Sequence, residues 1–141
     1  MKPTPLFLLG IFLLTTKISV AQSFAWSKAT NYALYDTKGA KFFALSVDTL
    51  ERLPHSTLDF DSVQVFLEGA VAISPQKTPV WMGAYVVSYT YEQKIYKVDV
   101  STYGGFFYDE NAKTFFQIAD EKQQSWHEFL SSNMNRLLSF K

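Results

Sequence analysis

The sequence predicts an α+β fold: a curved antiparallel sheet of about five to seven strands with one C-terminal amphipathic helix packed on it. Three observations predict it. Val80 to Tyr91 (VWMGAYVVSYTY) is a strand-like run that places Trp81, Tyr85, Val87, Tyr89 and Tyr91 on one side. Ile95 to Val100 alternates again after a short turn at Glu92-Gln93-Lys94, which makes the pair an antiparallel hairpin. From Asp120 onward, Trp126, Phe129, Leu130, Met134, Leu137 and Leu138 recur at helical spacing and form one apolar stripe.

The chain opens on a segment that belongs to export and not to the fold. Met1 and Lys2 give a short basic start, and Leu6 to Leu14 (LFLLGIFLL) is an apolar run too short to cross a bilayer. Ser19-Val20-Ala21 then supplies the small residues that a signal peptidase reads. Residues 1–21 are therefore expected to be a signal peptide cut after Ala21, and residues 22–141 a single globular α+β domain. A buried N-terminal helix would have to accommodate Lys17 and the prolines at 3 and 5 in or beside its apolar run.

Loss of Lys2 and Lys17 leaves 11 basic side chains against 13 acidic ones, a net charge near −2. That balance attracts neither phosphate backbones nor anionic lipid, so no nucleic-acid partner is expected. No second apolar run of spanning length follows, and no stable membrane insertion is expected after signal removal. The chain has 48% hydrophobic residues and no cysteine, which excludes disulfides, thiolate nucleophiles and Cys-based zinc sites. An exported chain without cysteine suits the bacterial periplasm or exterior, so the expected location is secreted or periplasmic.

Upstream of the hairpin, Ser62 to Leu67 and Ala70 to Ser74 read as a preceding strand with Gly69 as a bulge and residues 75–79 as the turn. A helix over Asp61 to Glu68 is the competing reading. An internal echo at a shift of 73 residues aligns Leu34-Tyr35-Asp36 and Phe42-Phe43 with Phe107-Tyr108-Asp109 and Phe115-Phe116. Each copy reads as a hairpin whose Asp accepts from turn N–H groups while Gly39 or Asn111 takes positive φ. Asp48 and Asp120, a few residues after each copy, are candidate helix caps.

In the C-terminal helix Gln123 stands three residues after Asp120 as a capping-box partner. Asn133 falls inside the apolar arc, where its amide needs a hydrogen-bonding partner such as a strand backbone.

Reactive motifs are sparse. His127-Glu128 begins like a metalloprotease helix, but Ser131 stands where the second ligand belongs, and His55 is the only other histidine. Asp59-Phe60-Asp61 lacks a calcium loop after it, and two acids flanking a ring are expected to face solvent beside a buried Phe60. Ser46, Ser56, Ser62 and Ser74 have no nucleophile-elbow glycines around them. Gly104-Gly105 lacks the spacing of a phosphate loop and reads as a bend. No catalytic residue, metal site or cofactor is therefore assigned.

Aromatic surplus remains: all but Phe7 and Phe12 of the 13 Phe, 8 Tyr and 3 Trp stay after signal removal. The leading expectation is an exported, non-catalytic binding module that recognises a protein or glycan partner through Trp81, Tyr85, Tyr89 and Tyr91 on one strand face. The C-terminal helix could instead cover that face and make the stripe core. An alternative is a carrier or sensor that holds an apolar ligand between sheet and helix. A small hydrolase built on His127 or His55 is a third reading.

Overall fold

The computed structural model describes residues 25–40, 45–74 and 85–140. These form an open seven-stranded antiparallel sheet in the order β2-β1-β4-β5-β6-β7-β3. The strands are β1 (Asn31–Tyr35), β2 (His55–Thr57), β3 (Val71–Ala72), β4 (Tyr85–Tyr91), β5 (Lys94–Val100), β6 (Phe106–Asp109) and β7 (Thr114–Gln117). Three helices accompany them: α1 (Val47–Leu50), α2 (Phe60–Leu67) and α3 (Gln123–Ser139). A 3-10 turn at Trp26–Lys28 precedes β1, and another at Asp120–Lys122 leads into α3. The α+β class and the C-terminal helix on the sheet are as the sequence predicts, and among the described residues no helix is long and apolar enough to cross a membrane.

The central hairpin forms as expected. β4 and β5 pair from Tyr85↔Val100 to Tyr91↔Lys94. Their connection is only Glu92 and Gln93, both at positive φ (48° and 65°), the geometry that lets a two-residue turn follow the twist of its strands. The first part of the predicted strand, with Trp81, lies outside the described residues, as do residues 1–21, expected to be a signal peptide, and the expected turn at 75–79.

The strand expected at Ser62 to Leu67 is a helix. Alternation would have put Val63, Val65 and Leu67 on one face, but the chain buries Val63 and Leu67, four residues apart, and leaves Val65 exposed. Both ends explain the choice. Asp59 accepts from the Ser62 N–H (2.9 Å) and the Ser62 hydroxyl (2.6 Å), which caps the start. At the other end Lys122 Nζ donates to the carbonyls of Val65 (2.8 Å) and Glu68 (2.9 Å), a partner invisible to local pattern. Gly69, at φ +80°, ends the helix and does not form a strand bulge. The strand expected at Ala70 to Ser74 shrinks to the two residues of β3 at the sheet edge.

The echo is real at the turns. Lys38 N–H donates to Asp36 Oδ1 and Asn111 N–H to Asp109 Oδ1, both at 2.9 Å. Gly39 takes positive φ as expected; in the second copy the residue that does so is Lys113 and not Asn111. The copies diverge afterwards, because β6 pairs with β7 while β1 takes β2, from residues 55–57, as its outer neighbour. Phe42 and Phe43 lie outside the described residues. Ser46, and not Asp48, caps α1 by accepting from the Thr49 N–H.

α3 lies across one face of the sheet. Trp126, Leu130 and Asn133 are its buried positions. Gln123 Nε2 donates to Asp120 Oδ1 (3.0 Å) and to the Ile118 carbonyl (3.1 Å), but no side chain caps a backbone N–H here, so the expected capping box does not form: the 3-10 turn at Asp120–Lys122 comes between Asp120 and α3. Beneath the helix, Trp26 meets Phe107 and Phe116 edge-on while those two rings stack across β6 and β7 at 5.3 Å. The opposite face carries a smaller layer in which Ala33, Tyr35 and Val86 meet Leu45 and Leu50.

Candidate functional site

The tyrosine stripe is part of the packing between sheet and helix. Tyr89 is 1% exposed, its hydroxyl shared between both oxygens of Asp109 at 3.1 Å and its ring stacked on Tyr96 at 5.4 Å. Tyr85 and Tyr91 are half-buried against the same core. The covered arrangement therefore holds at Tyr89, because α3 and α2 must bury their apolar sides against some sheet face and take this one. Trp81 lies outside the described residues. Burial, reinforced by the Asp109 carboxylate, pushes the Tyr89 phenol well above the ordinary tyrosine range. Among the described residues, a cavity between sheet and helix bounded by Tyr32, Tyr89, Val98 and Trp126 measures about 20 Å³. That is room for one water.

A larger concavity opens at one corner, a cleft of about 780 Å³. Its walls come from three rigid elements. Asn31 at the start of β1 and Thr57 at the end of β2 form one side. The Leu58 N–H donates to the Tyr32 carbonyl at 2.9 Å, which extends the β1–β2 pairing and fixes the entry to α2. Asp59, as the cap of α2, then sets Phe60 at the first helical position. Phe60 is 38% exposed and packs on Tyr32 with ring centroids 5.6 Å apart. The Tyr32 hydroxyl donates to the Trp26 carbonyl and receives Gln64 Nε2 at 2.8 Å, so the ring under Phe60 is itself held. α3 supplies the other wall through Ser125, Glu128, Ser132 and Arg136, one flank of the helix by their spacing, with Phe129 and Asn133 below them.

The cleft contains unspent hydrogen-bonding capacity. Asn133 is 8% exposed and gives its Nδ2 to the Phe129 carbonyl at 2.8 Å, its own helix supplying the partner expected from a strand. Its Oδ1 makes no other hydrogen bond among the described residues. The Asn31 amide and the Arg136 guanidinium also have no protein partner among the described residues. The two carboxylates are partly engaged. Glu128 accepts from Gln124 Nε2 at 2.8 Å, and Asp59 is held below the usual carboxylate range by the Ser62 hydroxyl and backbone N–H.

Buried ionisable groups on the second sheet face are engaged with one another. There Lys97 is buried with Nζ donating to the Leu45 carbonyl (2.9 Å) and lying 3.4 Å from Asp99 and 3.1 Å from Glu110. Burial pushes Asp99 up to about 6, against the pull of Lys97 and with added repulsion from Glu110. Asp109 is raised in the same direction by burial. His55 is exposed, its Nδ1 3.1 Å from the Leu53 carbonyl and its ring over Tyr35. His127 is half-buried, with Nε2 lacking a hydrogen-bond partner among the described residues and its pKa lowered by burial. Neither imidazole bonds a carboxylate among the described residues, and no three His, Cys, Asp or Glu side chains there could hold one metal ion.

In the sequence Asn133 stands out as a polar residue in an apolar arc, beside Asp59, Phe60, Glu128 and Phe129, which draw attention for other reasons. The sequence predicts a buried Phe60 and does not single out Asn31 or Arg136. The signal within reach was the polar flank Ser125, Glu128, Ser132 and Arg136 beside that misplaced amide. The strands that bring Asn31 and Thr57 against that flank are set by tertiary pairing. Comparison with protein-family models, curated proteins and solved structures gives no match.

Proposed function

We propose that the protein is an exported, non-catalytic recognition module that seats its partner in the corner cleft between β1, β2, the start of α2 and α3. The observation that carries the reading is the cleft itself. Its volume of about 780 Å³ falls within the range of ligand pockets, roughly 300–1,000 Å³. Its walls stand on paired strands, the capped start of α2 and the flank of α3, and they combine the exposed Phe60 ring with polar groups that have bonds left to make. Recognition by the sheet face would require a partner to reach Tyr89, whose ring and hydroxyl are both engaged inside. Export rests on the basic start, apolar run and small residues before Gln22.

A crystallographic screen with a mixed library of sugars, amino acids and short peptides tests this reading. Bound fragments are expected to gather against Phe60, Asn133 and Arg136. Fragments gathering along Tyr85 to Tyr91 or beside His127, with the cleft empty, would contradict it.

A further inference from the structure

The cleft's chemistry points to one class of ligand. Its most restrictive feature is Asn133, a residue 8% exposed that lines the cleft, with its amide nitrogen fixed on the Phe129 carbonyl and its own carbonyl oxygen without a partner among the described residues. With its nitrogen already committed, the oxygen is left to accept from a donor that arrives with the ligand. Around it stand the Asn31 amide, the Arg136 guanidinium, and the Ser125 and Ser132 hydroxyls, which together offer both donors and acceptors. Phe60 adds an exposed aromatic face whose orientation is held by Tyr32.

We infer that the cleft binds a neutral glycan segment, with Asn133 Oδ1 accepting from a sugar hydroxyl and Phe60 packing against the C–H face of a sugar ring. This rests on the recognition reading above and names its ligand class. A pyranose ring matches the lining because each hydroxyl both donates and accepts, while its C–H face is apolar and complements the negative face of an aromatic ring. Charge argues against a polyanion, since Asp59 and Glu128 face the cleft against the single cation Arg136. A peptide adding as a strand would find only the three residues of β2 at this edge of the sheet.

The test is calorimetric titration of the full mature chain with neutral oligosaccharides, α- and β-linked oligomers of glucose, mannose, galactose and N-acetylglucosamine, beside a polygalacturonate oligomer and a pool of short peptides. Asn133→Leu keeps the γ-branched shape and the helix but removes the acceptor, together with the Nδ2 bond to the Phe129 carbonyl. At least one neutral oligosaccharide should bind, and Asn133→Leu should weaken it about tenfold while melting stays cooperative. Phe60→Ser, at an exposed position, should weaken it by a similar factor and covers the case in which the Asn133 variant fails to fold. Sugar binding indifferent to both variants would overturn the proposal and the cleft reading together. Peptides that bind and respond to these variants while no neutral sugar binds would overturn the ligand class and leave the cleft reading standing. Preference for the polyanion would also overturn the ligand class.

Discussion

Trp126→Ala probes the packing on which every other feature depends. The indole is 2% exposed, lies 5.3 Å from Phe66 and 6.2 Å from Phe129 by ring centroids, and closes the layer between α3 and the sheet. A buried aromatic of this kind removes on the order of 150–250 Å² from water, which at about 25 cal/mol per Å² gives roughly 4–6 kcal/mol as an upper bound. One term runs the other way, because Trp126 Nε1 has no hydrogen-bond partner among the described residues and its loss removes a buried unsatisfied donor. The expected cost is therefore about 3 kcal/mol, at the low end of the range for Trp→Ala in cores. Guanidinium melts with unchanged m-values would measure it. Trp126→Phe, which keeps a ring and deletes the orphan donor, should cost less than half as much. Glu128→Ala, exposed on the opposite flank, should change stability by less than about 0.5 kcal/mol. Equal losses for Trp126→Ala and Glu128→Ala would refute the helical register and with it the placement of the cleft wall.

Four further outcomes follow from the same contacts. Tyr89→Phe should cost about 1–3 kcal/mol in urea melts by stripping a donor from the buried Asp109, and the double change of Tyr85 and Tyr89 to Ser should leave the chain unfolded by circular dichroism. Asp99 titrates at about 6 when folded against 3.8 ordinarily, so the folded state holds its proton to higher pH than the unfolded chain. That contribution is full below about pH 4 and is lost as pH rises through about 6, and the fall in the urea midpoint across this window should be shallower in Asp99→Asn. Gly105→Ala should cost about 1–2 kcal/mol in thermal melts, because the residue sits at φ +67° and an added Cβ would meet Gln123 Cγ at 2.7 Å. The intact mass of the exported product should correspond to a chain beginning at Gln22, and a mass retaining Leu6 to Leu14 would sink the export reading.

Elements with a strong period of their own were readable from the sequence, and those settled by distant partners were not. The β4–β5 hairpin and α3 announce themselves by alternation and by a helical stripe. α2 does not, because Val63, Val65 and Leu67 fit a strand period as well as a helical one. The Lys122 ammonium that closes its C-terminus comes from 54 residues away. The Asp turns at 36 and 109 were legible because an Asx turn is a local bond. What each turn leads into was not, since the neighbour of β1 comes from beyond α1. The same division governs the site. Asn133 could be recognised as an anomaly on its helix, whereas Phe60 and Asn31 join it only through strand pairing at the sheet's corner. For the tyrosines, period 2 identifies a shared face but not whether a helix covers it, as one does at Tyr89.

The most direct measurement is the chemical-shift footprint of a bound partner on the isotopically labelled chain of residues 22–141. The account predicts perturbed amides at Asn31, at Thr57 to Phe60 and along Ser125 to Arg136, with β4 and β5 quiet. A footprint running along Tyr85 to Tyr91 and Lys94 to Val100, with the cleft residues unmoved, would contradict it.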